Sequence, residues 1–129
     1  MTASPLTVAR ACYEAYVAKD RAAIEALIAE DYHFTSPIDN ALDRKTYFEL
    51  CWPNSKALTG FDHIYQNEDG NRAFIVYEAH TESGKTFRNS EVHTVRNGKL
   101  VATEVYFGWD LPHNVPKGKH IENEGEGPA

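Results

Sequence analysis

Apolar residues recur at helical spacing through the first third of the chain and alternate with polar ones through most of the rest. Ser4-Pro5 places a capping hydroxyl before a proline at the first helical position. Ala9, Cys12, Tyr13, Tyr16 and Val17 follow three and four residues apart, which predicts the buried stripe of a first helix. Asp20 caps a second helix predicted to run to about Ala29, with Ile24, Leu27 and Ile28 facing in. Asp31 to Ser36 is strand-like and stops at Pro37, and Asp39 to Leu42 reads as a turn or loop. Asp43 caps a third helix carrying Tyr47, Phe48, Cys51 and Trp52, which Pro53 ends.

The period then changes to two. Ala57 to Asn67 is predicted as a strand with Phe61, His63 and Tyr65 on one face. Glu68 to Asn71 is a turn. Arg72 to Thr81 is the next strand, with Phe74, Val76, Glu78 and His80 sharing a face, and Ser83-Gly84 turns the chain again. From Phe87 to Trp109, two β-type runs flank Asn97-Gly98, the strongest short hairpin signal. Phe87, Asn89, Glu91, His93 and Val95 share one face; Arg88, Ser90, Val92, Thr94 and Arg96 share the other. From Pro112 the text is polar and glycine-rich, so residues 1–116 are read as one domain and 117–129 as a poorly ordered tail. Helices first and strands afterwards predict an α+β fold, three N-terminal helices packed on a curved antiparallel sheet around an interior cavity.

Composition narrows the function classes. At 129 residues the chain can bury a proper core without staples. A net charge of −6 argues against nucleic acid or an anionic membrane as partner. No apolar run approaches the roughly 20 residues a bilayer requires. The start, M-T-A-S-P-L-T-V, has no basic region followed by an apolar one, so a cytoplasmic protein is expected. Cys12 and Cys51 lack metal-like spacing and read as buried, reduced thiols.

Two stretches carry a family resemblance that covers about Leu6 to Trp109. V-A-R-A-C-Y-E-A-Y-V-A-K-D-R-A-A-I-E-A-L-I-A-E-D-Y-H-F-T-S-P resembles the opening helix pair and first strand of the NTF2-like superfamily, in its SnoaL-like and ketosteroid-isomerase-like branch. E-V-H-T-V-R-N-G-K-L-V-A-T-E-V-Y-F-G-W resembles that branch's closing hairpin. The resemblance implies a cystatin-like, NTF2-like cone, a pocket for a small apolar organic ligand, no cofactor, and a homodimer through the outer sheet face. It does not fix the chemistry, because the superfamily holds isomerases, cyclases, dehydratases, epoxide hydrolases, transport factors and non-catalytic binders. The isomerases place a base aspartate before the proline that ends the first strand, where this chain has Ser36. Their helix-one tyrosine aligns with Cys12, with Tyr13 beside it and Tyr16 one turn on, and their sheet acid falls near Glu91 or His93. An authentic ketosteroid isomerase is therefore not expected.

The residues themselves suggest one cluster. Glu78-Ala79-His80 and Glu91-Val92-His93 are both Glu-x-His on neighbouring strands. A tight hairpin centred on Ser83-Gly84 pairs Glu78 with Asn89, His80 with Phe87 and Glu91 with Val76, all on one face. Three readings compete. One is an acid/base pocket, in which burial raises a carboxylate pKa beside an imidazole. A second is a metal site, disfavoured by the distance between His80 and His93 along their strands. The third is a set of surface ion pairs involving Arg88 or Arg96. The catalytic candidates are Glu91, His93, Glu78, His80, Asn89 and Tyr16. The candidate ligand contacts are Tyr13, Trp52, Phe61, Phe74, Val76, Thr103, Val105 and Phe107. Glu104 and Tyr106 depend on the turn: a two-residue Asn97-Gly98 turn faces Glu104 inward against Glu91, whereas a three-residue turn pairs Glu91 with Thr103 and turns both outward. The second option is preferred.

Overall fold

The computed structural model describes residues 3–122. Helix α1 (Pro5–Ala18) begins at Ser4, whose side chain accepts from the Thr7 amide, and ends at Lys19 in the left-handed conformation. Helix α2 (Arg21–Leu27) is capped by Asp20. It is shorter than predicted, because Ile28 already begins strand β1 (Ile28–Ser36). The predicted loop at Asp39 to Leu42 is instead strand β2 (Asp39–Asp43), paired antiparallel with β1 across the Pro37-Ile38 turn. Asp43 then caps α3 (Arg44–Leu50) as predicted. A 3-10 turn (Trp52–Ala57) follows, with Pro53 near its start.

The remaining strands are β3 (Leu58–Asp69), β4 (Arg72–Thr81), β5 (Thr86–Arg96) and β6 (Lys99–Leu111). All six lie in one curved sheet of order β2-β1-β6-β5-β4-β3, which does not close. The β3–β6 meander is antiparallel throughout, while β1 runs parallel to β6. Helix α1 lies over the inner face. Tyr13 and Ala9 pack there on Ala73, Ile75, Tyr77 and Ala79 of β4. Val8, Cys12 and Ala15 pack with α2, α3, β1 and Leu100 of β6. The α+β cone with helices on a curved sheet thus stands. The expected tail is described only to Glu122, and 123–129 lie outside the described residues.

Register decides which face each residue takes, and it differs from expectation at three places. The β4–β5 connection is the three-residue loop Glu82-Ser83-Gly84, closed by the Thr81 amide on the Lys85 carbonyl at 3.1 Å, with Gly84 at φ 86°. Glu78 therefore pairs with Arg88, and Glu91 with Ile75. A one-residue slip moves a whole strand's side chains to the opposite face. Ala73, Ile75, Tyr77 and Ala79 are inward, while Phe74, Val76, Glu78 and His80 face outward. In β3 an extra residue at Ile64 turns Tyr65 outward, so it does not share a face with Phe61 and His63. At the last hairpin Asn97-Gly98 forms the two-residue turn, both at positive φ, and an extra residue at Val101 restores the parity. Glu91 thus faces Val105 rather than Thr103, yet Thr103 and Val105 are inward and Glu104 and Tyr106 outward.

A further bulge lies near the end of β6, where Gly108 and Trp109 together oppose Arg88. A Cβ at Gly108 would sit 2.2 Å from the Arg88 carbonyl oxygen, so only glycine lets the strands meet there. Gly108→Ala should cost about 1–3 kcal/mol through forced backbone movement. A urea midpoint equal to that of the unsubstituted chain would show that the bulge is not needed.

Candidate functional site

The space between α1, the β1–β2 hairpin and the inner sheet face is a cavity of about 620 Å³. Aromatic and aliphatic side chains make most of its wall, including Tyr16, Tyr32, Phe61, Phe87 and Val105. That size and lining suit a small organic molecule. Glu91 and His93 sit on its inner surface, two residues apart on β5 and therefore side by side.

Glu91 is the electrostatic centre. Its side chain is 13% exposed. Oε1 accepts from the Tyr13 hydroxyl at 2.9 Å and lies 3.1 Å from His93 Nε2. Oε2 accepts from the Tyr77 hydroxyl at 2.6 Å. Tyr13 also lies 2.9 Å from His93 Nε2, and His93 Nδ1 lies 3.2 Å from Thr103 Oγ1. Burial opposes the charged carboxylate, but the imidazole and the two hydroxyls outweigh it and hold Glu91 below its usual range. The magnitudes agree with this sign. Burying an ion costs several kcal/mol, and each hydrogen bond to a charged group returns about 1.5–3 kcal/mol. Two such bonds and the imidazole 3.1 Å from Oε1 together favour the ionised form. Burial and the neighbouring carboxylate push Tyr13 and Tyr77 upward, so both remain neutral donors.

Two further polar groups line the same cavity. Asn89 Nδ2 donates to the Tyr77 hydroxyl at 3.3 Å, and Asn89 Oδ1 accepts from the Gly108 amide at 3.1 Å. Tyr16 is hydrogen-bonded hydroxyl to hydroxyl with Tyr47. Burial is the main reason the Tyr16 hydroxyl is pushed up. Burial also raises the thiols, Cys12 to about 12 and Cys51 to about 11, which leaves them protonated and unreactive.

Of the sequence candidates, Glu91, His93, Asn89 and Tyr13 form one bonded group, and Tyr16, Phe61, Thr103, Val105 and Phe107 line the same cavity. Five do not. Glu78 and His80 are on the outer face, where Glu78 lies 3.7 Å from Arg88 Nε and His80 bonds Asp62 at 2.8 Å. Phe74 and Val76 are outward for the same register reason. Trp52 packs its ring on Tyr16 and does not reach the cavity wall. Glu91 is held below its usual range, where an acid/base pocket would raise it by burial, because donors surround the carboxylate. Tyr77, Tyr47, Tyr32 and Asp39 are cavity residues the sequence did not single out. Tyr77 had a visible signal: it alternates with Ile75 and Ala79, the more apolar face of β4. Among the described residues, no group of three His, Cys, Asp or Glu is placed to hold a metal ion.

The model of the SnoaL-like domain matches residues 9–103. The chain belongs to the SnoaL-like family. Solved structures show the same NTF2-like fold. A protein from Kribbella flavida is 20% identical, with TM-score 0.74 over 84% of this chain and 88% of its own. An LEH-like epoxide hydrolase from M. tuberculosis is 15% identical, with TM-score 0.68 over 81% of this chain and 82% of its own. A polyketide cyclase-like protein from Sinorhizobium meliloti is 15% identical, with TM-score 0.65 over 77% of this chain and 93% of its own. At these identities the likeness is one of fold. No curated protein matches the chain in sequence. No helix among the described residues is long and apolar enough to cross a membrane.

The depressed Glu91 carboxyl links folding to pH. Its stabilisation is complete above the unfolded value of about 4.3 and is lost as pH falls through the lower folded value. Glu91→Gln should therefore flatten the acid limb of the stability profile. Urea unfolding between pH 7 and pH 2 reads this directly, and parallel profiles for the two proteins would contradict an ionised Glu91.

Proposed function

We propose that the protein is a cofactor-independent acid/base enzyme acting next to the carbonyl of a small, largely apolar compound, as an isomerase, cyclase or dehydratase does. One observation carries this reading. A carboxylate has about four lone-pair sites, and hydroxyl donors take two on Glu91, one at each oxygen, with His93 Nε2 a further 3.1 Å from Oε1. The site left on Oε2 can take a substrate proton. His93, whose Nε2 lies 3.1 Å from the same carboxylate, is the proton partner.

The enolate oxygen needs a donor. Asn89 spends one Nδ2 hydrogen on Tyr77 and keeps the other, two residues from Glu91 on the same face. The Tyr16–Tyr47 pair likewise shares one hydroxyl hydrogen and keeps one. Either supplies the stabilisation that an oxyanion requires. These donors matter because the bonds that keep Glu91 ionised also weaken it as a base. The acidity has to come from the substrate side.

A second reading is a non-catalytic ligand-binding or dimerisation module. It is favoured by Ser36, which stands at the isomerases' base position and bonds its hydroxyl to Asp39 at 2.7 Å. Deuterium exchange at carbons next to the carbonyl, followed by NMR over a panel of cyclic enones and 1,3-dicarbonyl compounds, separates the two. The enzyme accelerates exchange, and Glu91→Gln lowers the rate by about 10²–10⁴ while binding persists. Binding without exchange in either protein would leave only the module.

A homodimer through the outer sheet face belongs to the same proposal, in a protein of the cytoplasm. Tyr65, Val76, Ser90 and Tyr106 form one row across that face, with Phe74 and Val92 in the next. Tyr65 is 67% and Tyr106 54% exposed, a large apolar outlay for a lone chain. Sedimentation should give twice the 14.5 kDa chain, and Val76→Lys with Tyr106→Lys should give the monomer. A monomer at micromolar concentration before substitution would remove the dimer.

A further inference from the structure

The bulge at Gly108 is joined to the Glu91 carboxylate by hydrogen bonds whose directions are all forced. A backbone amide only donates, so the Gly108 N–H fixes the oxygen of Asn89 toward itself. The amide nitrogen of Asn89 must then face Tyr77 and donate to the phenol oxygen. That leaves the phenol's one hydrogen for Glu91 Oε2, at the short distance of 2.6 Å. Without Asn89, the Tyr77 hydroxyl is free to rotate and present its oxygen to other donors. The chain crosses from β6 to β5, to β4 and back to β5, so no single strand determines it.

We infer that Asn89, locked by the Gly108 amide, is a positioning residue that fixes the direction of the Tyr77 hydroxyl and so sets the proton affinity of Glu91. This role is separate from the donor role of the second Asn89 N–H. Its bearing on catalysis rests on the acid/base reading, while its effect on Glu91 does not. The bulge has a defined purpose in this arrangement. It presents an N–H to the cavity-facing Asn89 at the point where a regular ladder would have spent it on the neighbouring strand. The other titratable groups facing Glu91 are Cys12, Tyr13 and Tyr16 of α1, Tyr32 of β1, His63 of β3 and His93 of its own strand. Opposite it on β6 is Val105, which does not titrate.

The test is the titration of the Glu91 side-chain carboxyl carbon by NMR, with no ligand present. Asn89→Leu keeps a similar shape and removes both hydrogen bonds. It should move the Glu91 midpoint to higher pH, as should Tyr77→Phe. Because Asn89 acts through Tyr77, the double variant should move it no further than Tyr77→Phe alone. An unmoved midpoint in Asn89→Leu overturns the inference, and so do shifts that add. If Asn89→Leu does not fold, the unsubstituted chain decides. One Asn89 side-chain amide proton should exchange with solvent far more slowly than those of exposed Asn40. Equal rates overturn the inference. Turnover does not enter these readouts, so failure of the acid/base reading would leave them standing, and the reverse also holds.

Discussion

A buried carboxylate that stays charged needs donors, and these donors come from elements that are distant in sequence. Glu91 of β5 receives Tyr13 from α1 and Tyr77 from β4. His93 from its own strand completes the set and is backed by Thr103 of β6. An ion left unpaired at this depth would cost about 3–5 kcal/mol, a large share of a small domain's stability. The arrangement therefore constrains the packing of α1 on the sheet as well as the chemistry of the cavity. Moving the helix by one residue would replace Tyr13 with Cys12 or Glu14, neither of which can serve in its place.

The same group explains why the cavity is polar at one side only. The aromatic wall supplies burial and shape. The five polar side chains Asn89, Tyr77, Glu91, Tyr13 and His93 satisfy one another, as buried polar groups must. The capacity they keep for a bound molecule includes a free lone pair on Glu91 Oε2 and one N–H on Asn89. Recognition of a small molecule generally rests on a few such positions in an apolar setting.

Bulges and turns carry much of this result. Four extra residues, at Thr59, at Ile64, at Val101 and beside Gly108, and one three-residue loop at Glu82-Ser83-Gly84 help set the facing of the side chains on the four long strands. Each is a local event of one residue. Each reverses parity for everything beyond it. Glu78-Ala79-His80 looks like the twin of Glu91-Val92-His93 in sequence, and a single residue of register puts the two motifs on opposite faces.

The sequence alone determined the elements and their order, because caps, prolines and periodicity act locally. Ser4, Asp20 and Asp43 each cap the helix they were expected to cap, and Asn97-Gly98 turns the hairpin. It also determined that Glu91, Asn89 and His93 share a face, since strand alternation needs no partner. Tertiary structure decided the rest. Loop length at Gly84 chose Tyr77 over Glu78 and His80 as neighbours of Glu91, and strand pairing made β2 from a stretch that reads as loop. The protonation of Glu91 followed in turn. Burial by itself favours the neutral acid, and the His93 imidazole, together with the hydroxyls that the packed helix and the neighbouring strand bring to it, reverses that preference.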